Sequence, residues 1–536
     1  MGLARVQSAV VVGVRAHVIS VEVHTARGLP GLILVGLPDA AVNESRDRVR
    51  AAIINSGLRW PDMRITVGLS PAWLPKRGPG LDLAIALAIL AADGQVPESP
   101  LSQVLALGEL GLDGSIKPVA GALAAALAVR GDATVRIVTG AHDAAQVRLI
   151  PGLHVVGVAS LLSAVARMRG EGSELGEESD EPIEAGPAGA TAESAHRPGV
   201  DDRFGLAHNR PGEGVSRDLS EIKGQQLGKR ALEVAAAGGH NLALLGRAGV
   251  GKTMLAERLI ELLPDLDEQA ALEVTAIHQL AGRSIARLLT RPPYCAPHHT
   301  SSRAAMVGGG SDLRPTIGMV SLAHCGVIFL DEAAEFEPNV LDALREPVDV
   351  GAITVARAGF QVTLPASVQL VLATNPCPCG NALEASRTRP CRCTPGQRRR
   401  YLGRLSGPLM DRVDLRVVLS RPTLAQLRDG ETNSESTATV AARVAAARAA
   451  ATARRSFLSA GRPRSTGCAG ATDALLSGPV RLRLDRACAN ESLRGRDRVA
   501  KVAWTLADLA GRASPSLTDI DEAITLRIVD ESWAAA

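Results

Sequence analysis

Residues 246 to 253 have the types and the spacing needed to hold a chain of phosphates. They follow the short apolar run 241–245 and precede the amphipathic run 254–263, so they are expected to link a strand to a helix. Backbone amides in such a loop curl around phosphate at a helix N-terminus, Lys252 would reach the β and γ phosphates, and the Thr253 hydroxyl would ligate Mg²⁺. A chance glycine-rich turn is the alternative. The loop comprises Gly246, Arg247, Ala248, Gly249, Val250, Gly251, Lys252 and Thr253.

A second apolar run, residues 326–330, ends in Asp331 and Glu332. A strand buried in a parallel sheet has this composition, and ligands bind where such strands end. Asp331 would hold the metal, and Glu332 would polarise the attacking water, which favours hydrolysis of ATP over binding alone. The alternative, an exposed acidic strand end, is disfavoured by the loop upstream.

A third apolar run, residues 368–373, ends in Thr374, Asn375 and Pro376. The Asn375 amide could orient water against the γ-phosphate. An Asn before Pro is more often part of a turn. Because this strand end follows the other two along the chain, we expect Asn375 to belong to the same site.

Composition and hydrophobic pattern predict an α/β protein of several domains. The chain has 536 residues, too many for one core, and its formal net charge of +3 marks it as neither a general nucleic-acid binder nor a membrane binder. An acidic segment rich in Gly, Ser and Pro is expected to be a disordered linker. The predicted domains are residues 1–168 (α/β), 169–215 (linker), 216–425 (α/β nucleotide-binding core, with a cysteine-containing insertion at 377–393) and 426–536 (helical).

Local patterns predict individual elements inside these domains. Strands are expected at Val10–Val14 and Val18–Val23, which are rich in β-branched residues, and a helix at Ala40–Ser56. Further helices are expected at Thr439–Phe457 and near Arg496–Ala510.

The chain shows neither a signal-peptide pattern at its start nor an apolar stretch long enough for a bilayer, so a cytoplasmic protein without membrane contact is expected. Its 8 cysteines are then expected to be reduced or to bind metal. Two close pairs suit tetrahedral Zn²⁺, with reduced thiols in a loop as the alternative. The pairs are Cys377 with Cys379 and Cys391 with Cys393, whereas Cys295, Cys325, Cys468 and Cys488 are interpreted as buried apolar residues.

Nucleic acid would need a local basic surface. Residues 352–355 and 360–364 flank a turn and predict a hairpin that carries Arg357. The run Arg398–Arg400 with Arg404 could contact a phosphate backbone or could be a solvated face. His298 and His299 are interpreted as structural in preference to metal ligands or nucleic-acid contacts.

With the three strand ends in this order, the chain resembles AAA+ ATPases of the magnesium-chelatase-like branch, and the ComM/YifB family most closely. Further matching stretches are Ile222–Gln225, Arg230–Asn241, Ala296–His299, Met306–Gly310 and Leu405–Asp414. One departure is Arg247-Ala248, where relatives often have two prolines; an effect on nucleotide affinity is expected.

The resemblance implies a P-loop α/β/α sandwich with a C-terminal helical lid, assembled as a ring, most simply a homo-hexamer, with ATP at subunit interfaces. Arg412 then looks like an arginine finger acting on the neighbour's γ-phosphate. Arg494 looks like a second sensor that contacts phosphate in its own subunit. The hairpin with Arg357 would point into the central pore and meet DNA.

Residues 1–168 resemble the Lon-protease-like domain, of the ribosomal S5 domain 2-like fold. Lon-type enzymes carry a nucleophilic Ser at the position of Gly80 and its partner Lys at the position of Leu123. Neither side chain here can do that chemistry, so no peptidase activity is expected. A role in DNA binding or ring assembly is predicted instead.

The leading hypothesis is a ring-forming, ATP-driven DNA motor, similar to ComM-type branch-migration helicases, that acts in recombination or DNA uptake and uses ATP and Mg²⁺. A chelatase-type subunit that drives Mg²⁺ insertion into a porphyrin is one alternative. A non-motor regulator in which ATP only controls assembly is another, and the intact Glu332 weighs against it.

Overall fold

A computed structural model describes most of the chain. The described residues are 2–76, 78–171, 218–283, 285, 287–311, 314–357, 360–382, 390–432, 434–459, 476–489 and 491–527. The predicted linker, residues 169–215, lies outside this set except for its first three positions, as does Cys468. Among the described residues, no helix combines the length and the apolar character needed to cross a membrane.

The first part of the chain alternates strands and helices. Short 3₁₀ helices occupy Pro79–Leu81 and Ser99–Gln103. The other elements are β1 (Gly2–Val12), β2 (Arg15–Ala26), β3 (Gly31–Val35), α1 (Ala40–Asn55), β4 (Arg64–Ser70), α2 (Asp82–Ala92), β5 (Val104–Leu107), β6 (Glu109–Leu110), β7 (Ile116–Lys117), α3 (Ala122–Ala128), β8 (Arg136–Gly140), α4 (Ala141–Val147), β9 (His154–Val158) and α5 (Leu161–Arg169).

The second part begins at residue 218 and ends in helices. Short 3₁₀ helices occupy Leu219–Glu221 and Ala333–Glu335. The other elements are α6 (Gln226–Gly238), β10 (Leu242–Gly246), α7 (Lys252–Leu262), α8 (Glu268–Leu280), β11 (Tyr294–Cys295), α9 (Arg303–Val307), β12 (Gly309–Ser311), β13 (Arg314–Thr316), α10 (Met319–Leu322), β14 (Val327–Leu330), α11 (Pro338–Ala343), α12 (Arg345–Val350), β15 (Ala352–Arg357), β16 (Phe360–Pro365), β17 (Gln369–Thr374), α13 (Pro395–Leu402), α14 (Gly407–Met410), β18 (Leu415–Leu419), α15 (Leu424–Thr432), α16 (Thr437–Ser459), α17 (Gly478–Ala487), α18 (Leu493–Leu509) and α19 (Leu517–Arg527).

Two compact units emerge from these elements. The first is built on a seven-stranded mixed sheet in the order β3-β4-β2-β1-β5-β8-β9. Its longest pairing is the antiparallel hairpin of β1 and β2, from Gly2 opposite Thr25 to Val12 opposite Arg15. The strand predicted at Val10–Val14 therefore ends two residues too late, because Gly13 adopts a φ of 68° and begins the turn, and the observed strand starts earlier, at Gly2. The helix predicted at Ala40–Ser56 is confirmed as α1.

The first unit also contains residues 271–289, which come from the second part of the sequence. Leu272 and Ala276 of α8 are buried in an apolar cluster with α3, including Leu123. The Leu123 backbone amide donates a hydrogen bond of 3.3 Å to the Gln279 side chain. Helix α8 is thus a structural part of the N-terminal unit, which the predicted domain boundaries do not anticipate.

The second unit is organised around a five-stranded parallel sheet in the order β11-β14-β17-β10-β18. Strands β14, β17 and β10 are buried at every residue, as expected for a parallel sheet with both faces covered. The predicted α/β class with a parallel core is confirmed. Because these strands run parallel, their carboxyl ends meet at one edge, where the polar residues that follow them come together.

The C-terminal helices pack against α6 in the same hydrophobic core as the sheet. Val444 of α16, Val502 of α18 and Ile520 of α19 are all fully buried in this cluster. The helices predicted at Thr439–Phe457 and near Arg496–Ala510 are confirmed as α16 and α18. Helix α16 is two residues longer at each end, whereas α18 begins three residues earlier and ends one residue earlier than predicted.

Candidate nucleotide-binding site

The loop from Gly246 to Thr253 connects β10 to α7 and is held by glycine conformations. Gly249 and Gly251 have φ of 81° and 93°, in the left-handed region that a side chain disfavours. At Gly246 the restriction is space, because a Cβ there would lie 2.8 Å from the Leu419 carbonyl oxygen. These constraints explain all three glycines of the predicted phosphate-binding motif.

Lys252 begins α7 and is 8% exposed. Its Nζ donates to the carbonyl oxygens of Gly246 at 2.6 Å and Arg247 at 2.9 Å, and to Asn375 Oδ1 at 3.0 Å. Burial lowers the pKa of Lys252, while the carboxylates of Asp331 and Glu332 act in the opposite direction. The ammonium group is thus held inside the loop with acceptors that a phosphate could replace.

The predicted metal ligands Thr253 and Asp331 lie together. Thr253 Oγ1 donates to Asp331 Oδ2 at 2.8 Å, and the Glu332 backbone amide donates to Asp331 Oδ1 at 2.8 Å. A hydroxyl and a carboxylate at this spacing, beside a phosphate-binding loop, suit Mg²⁺, which prefers oxygen ligands and binds with nucleotide phosphates. The donor set therefore fits the predicted Mg–ATP.

Glu332 follows Asp331 at the same sheet edge, and its side chain is 53% exposed. Its backbone adopts a φ of 50°, which is uncommon for a residue with a side chain. His299 Nδ1 lies 3.7 Å from Glu332 Oε2, and the His299 ring packs against His298 at an interplanar angle of 32°, with centroids 4.1 Å apart. The sequence interpretation of this histidine pair as structural did not anticipate a contact with the residue expected to activate water.

Gln225 is a second residue at the loop whose contacts were not predicted. Its Nε2 donates to the Val250 carbonyl at 3.0 Å and to the Ser420 carbonyl at 2.8 Å. It therefore ties the phosphate-binding loop to the end of β18. The positive φ of 53° at Gln225 accompanies this role, and no local pattern in the sequence indicates it.

Arg412 and Arg494 lie together around Asp349 of α12. Arg412 Nη2 is 2.5 Å and Arg494 Nη1 is 4.0 Å from Asp349 Oδ2. The Arg412 side chain is 14% exposed and that of Arg494 is 64% exposed. The sequence predicted a role for each arginine, but it predicted neither that the two lie together nor that both approach Asp349.

This arginine group lies at the amino-terminal edge of the parallel sheet. The Arg412 carbonyl accepts a hydrogen bond of 2.9 Å from the side chain of Asn241, the residue before β10, whereas the phosphate-binding loop follows β10. The contacts therefore associate Arg494 with Arg412 and not with Lys252. A role for Arg412 at a neighbour's phosphate, and for Arg494 at the phosphate of its own chain, stays a prediction.

The four cysteines at residues 377–393 converge. Their sulfurs all lie within 4.8 Å of one another, with Cys377 Sγ 3.4 Å from Cys379 Sγ and 3.7 Å from Cys391 Sγ. Thiolates around a tetrahedral Zn²⁺, with Zn–S of about 2.3 Å, stand about 3.8 Å apart. Number, chemistry and spacing of the donors fit a soft divalent cation.

The thiols of this cluster differ in acidity. Burial, together with hydrogen bonds to Cys379 and Cys391, raises the pKa of Cys377 to about 12. At Cys379 burial also acts to raise the pKa, but hydrogen bonds from the backbone amides of Asn381 and Arg392 outweigh it and lower the pKa to about 6. Cys379 is thus the most readily available thiolate of the three for which a shift is resolved.

The basic residues proposed for nucleic acid have different surroundings. Strands β15 and β16 form the predicted hairpin, in which Arg357 pairs with Phe360; the Arg357 side chain and the turn lie outside the described residues. Arg399 and Arg400 are exposed on α13. Arg404 instead donates to the Ala334 carbonyl at 3.0 Å and to Glu335 Oε2 at 3.3 Å, so it is already engaged beside the carboxylate strand end.

The positions of the predicted missing peptidase dyad lie in the first unit. Leu123 is 1% exposed and belongs to the apolar cluster that includes α8. A Cβ at Gly80 would lie 3.7 Å from Val119, an ordinary contact. The likeness of this unit to a Lon-protease-like domain and its lack of peptidase activity stay predictions.

Comparison with known families divides the chain into three matching regions. Residues 218–427 match the family described as magnesium chelatase, subunit ChlI. Residues 21–142 match the family described as subunit ChlI of Mg-chelatase, and residues 434–527 match the C-terminal region of the same subunit.

Individual proteins match over almost the whole chain. The uncharacterized protein Rv2897c of Mycobacterium tuberculosis is 44% identical over 98% of this chain and 99% of its own length. The uncharacterized protein YifB of Escherichia coli is 40% identical over 99% and 98%, respectively. The competence protein ComM of Haemophilus influenzae is 39% identical over 81% of each chain.

Proposed function

Since this chain belongs to the ComM/YifB family of magnesium-chelatase-like AAA+ proteins, we propose that it is a ring-forming ATPase that works as a motor on DNA. One observation carries the ATPase part of this proposal. Lys252 begins α7, Asp331 follows β14 and Asn375 follows β17. Lys252 donates a hydrogen bond of 3.0 Å to Asn375, and the adjacent Thr253 donates one of 2.8 Å to Asp331, so the three elements meet in one site.

Each residue of the site has a role in hydrolysis. Mg²⁺ bound at Thr253 and Asp331 would neutralise charge on the β- and γ-phosphate oxygens. Lys252 exchanges its carbonyl partners for phosphate oxygens, and the loop amides enclose the same group. Glu332 accepts the proton of the attacking water, and Asn375 orients that water. Arg412 of a neighbouring subunit supplies positive charge at the γ-phosphate.

The DNA part of the proposal rests on the hairpin and on a relative. Strands β15 and β16 carry Arg357 at their outer end, next to the turn. The exposed Arg399 and Arg400 add positive charge suited to sequence-independent phosphate contacts. One relative is named a competence protein, which supports uptake of foreign DNA as the process. Branch migration of DNA during recombination or uptake is the activity that we propose.

The proposal includes a structural zinc ion. The four convergent sulfurs of Cys377, Cys379, Cys391 and Cys393 would hold it. All four coordinating positions are then filled by protein, which is typical of a structural site and leaves no position for catalysis.

Stimulation of ATP turnover by DNA tests the motor. We expect forked or four-way-junction DNA to raise the turnover number of the full-length protein, and an Arg357→Ala variant to lose the stimulation but keep the basal rate. A matched control is Arg428→Ala, which removes an arginine outside the hairpin. If neither DNA raises turnover while basal hydrolysis is present, the chain is an ATPase but not a DNA motor.

A chelatase-type role is the second candidate, because the matching families are described by the magnesium chelatase subunit ChlI. In that case a porphyrin-binding partner, and not DNA, would raise turnover. Comparing ATP turnover with junction DNA and with a metal-free porphyrin separates the two candidates. We expect DNA to raise ATP turnover and the porphyrin to leave it unchanged.

A further inference from the structure

The four-cysteine cluster lies directly against the nucleotide site. Cys377 comes two residues after Asn375, the side chain that accepts a hydrogen bond of 3.0 Å from Lys252. Cys377 itself is fully buried, so its sulfur is held in the protein interior close to the end of β17. A shift of this sulfur would be transmitted to Asn375 through a single intervening residue, Pro376.

A second contact joins the cluster to the phosphate-binding loop. Gly380 follows Cys379, and a Cβ built on it would lie 3.9 Å from the Ala248 backbone nitrogen. Gly380 has a φ of 77°, and its amide donates to the Cys377 carbonyl at 2.9 Å. The tight turn between the first two cysteines therefore packs its backbone on the loop that would enclose phosphate.

A third contact lies on the far side of the cluster. Cys393 is followed by Thr394, which caps α13 by accepting a hydrogen bond of 3.2 Å from the Gln397 amide. Near the end of this helix, the buried Tyr401 hydroxyl lies near Thr374 and Glu335, which both influence its pKa, and Arg404 donates a hydrogen bond of 3.0 Å to the Ala334 carbonyl. The segment after Cys393 thus holds both the end of β17 and the turn that follows Glu332.

We propose that metal binding at this cluster sets the nucleotide affinity of the site, because the metal fastens together the three segments that contact the phosphate-binding loop, Asn375 and the turn after Glu332. The inference rests on the zinc site proposed above. Without a cation the sulfurs are joined only by weak hydrogen bonds of 3.4–3.7 Å between thiols, whereas a cation bound by four thiolates would hold all of them at fixed distances. Without the metal, Cys377 and Cys379 are no longer fastened to Cys391 and Cys393, and the segments beside Lys252 lose that support.

Reversible removal of zinc from the full-length protein tests this inference. We expect about one zinc per chain by elemental analysis, which reflects four protein ligands per ion. Dialysis against a chelator should remove the zinc and weaken binding of a fluorescent, non-hydrolysable ATP analogue at least about tenfold, equivalent to about 1.4 kcal/mol. Adding zinc back should restore both. A Cys379→Ser variant should behave like the chelated protein, whereas Cys325→Ser, which alters a thiol outside the cluster, should not.

Hydrogen exchange supplies a readout that does not depend on nucleotide. On removal of zinc, the amides of residues 246–255 and 369–382 should exchange faster, while those of strands β1 and β2 should not change. Unchanged analogue affinity in zinc-free protein would refute the coupling and leave the zinc site standing. Absence of zinc both after purification and after its addition would refute the two together. If chelation abolished the circular dichroism signal of the folded protein, the chain would unfold as a whole without zinc, and this would refute a local coupling.

Discussion

At the scale of single residues, the nucleotide site is already assembled by contacts within the protein. Thr253 and Asp331 are bonded to each other at 2.8 Å, and Lys252 is held by three oxygen acceptors. Groups that are oriented before the ligand arrives lose little conformational freedom on binding. The site therefore has its donors in position, and changes to single side chains should have separable effects on binding and on hydrolysis.

Replacing Lys252 by alanine should abolish tight nucleotide binding. The loss of a charged donor to phosphate is expected to weaken ATP-analogue binding by about 2–3 kcal/mol, or roughly 30- to 150-fold in Kd. Titration with a fluorescent analogue measures this. Lys117→Ala, which removes an exposed lysine of β7, is the control and should bind normally. Equal binding by Lys252→Ala and the wild type would contradict the assignment.

Replacing Glu332 by glutamine should separate binding from hydrolysis. The amide cannot accept a proton from water, so turnover should fall by roughly 10²- to 10⁴-fold, while the Kd for the ATP analogue stays within about twofold. Steady-state phosphate release and the analogue titration give the two values. Glu337→Gln, a change at an exposed glutamate nearby, should leave both unaltered. Turnover retained in Glu332→Gln would assign water activation to another group.

The sequence predicts the residues at the three strand ends, because each belongs to a short pattern read along the chain. Asp349, Gln225 and the contact of His299 with Glu332 could not be predicted in the same way. Asp349 acts through Arg412, 63 positions away, and no local pattern marks a carboxylate that pairs at such a separation. Whether a polar residue pairs with a distant one depends on the packing of whole elements.

At the scale of elements, helices α18 and α19 are fastened to the amino-terminal edge of the parallel sheet. His240, just before β10, has its Nε2 2.8 Å from Thr505 Oγ1 of α18. Arg527 of α19, which is 2% exposed, donates to the Val413 carbonyl at 2.6 Å. The helical region predicted at residues 426–536 is therefore held by buried polar contacts as well as by its apolar face.

The buried His240 should make this packing sensitive to acid. Burial lowers the pKa of His240 and outweighs the opposing influence of Asp414, so the folded state favours the neutral imidazole. The unfolded chain binds the proton near pH 6.5, so stability should fall as the pH drops below about 6.5, by up to about 1.4 kcal/mol per pH unit. A His240→Gln variant should lose this part of the pH dependence. Urea unfolding between pH 8 and pH 5 gives the difference.

Two outcomes are informative here. If the stability of His240→Gln and that of the wild type fell equally with falling pH, this imidazole would not be the group responsible. His142→Gln serves as the control, because His142 is on the surface of α4 and its replacement should leave the slope unchanged.

Elements with a clear hydrophobic period are predicted well from the sequence, but the elements against which they pack are not. Helices α1, α16 and α18 follow from amphipathic or alanine-rich patterns, and the buried strands follow from their apolar runs. The sequence does not reveal that Leu272 and Ala276 pack beside Leu123, because apolar residues at helical spacing indicate that a face is buried but not what covers it.

At the scale of the whole molecule, the proposed ring places each ATP between two chains. Arg412 is held within its own chain by Asp349, and its Nη1 donates to the Pro408 carbonyl at 2.6 Å. Two defective chains should then complement each other: an Arg412→Ala chain keeps its ATP site, and a Lys252→Ala chain keeps its arginine.

Mixing these two inactive variants should recover ATP turnover. In an equal, randomly mixed ring with head-to-tail interfaces, roughly a quarter of the interfaces combine an intact ATP site with an intact Arg412. Phosphate release from the co-purified mixture measures the recovery, and each variant alone is the control. Mixed rings that remain inactive, with mixing verified by two different affinity tags, would exclude Arg412 as a group acting between subunits.

The placement of residues 271–289 has a consequence for how the chain can be divided. Because these residues lie within the N-terminal unit although they follow the phosphate-binding loop in sequence, the backbone returns to that unit after it has left it. No single cut yields two intact pieces: a fragment starting after residue 217 would carry Leu272 and Ala276 without their apolar neighbours. A design that separates the two units would therefore have to move residues 271–289 together with the N-terminal part of the chain.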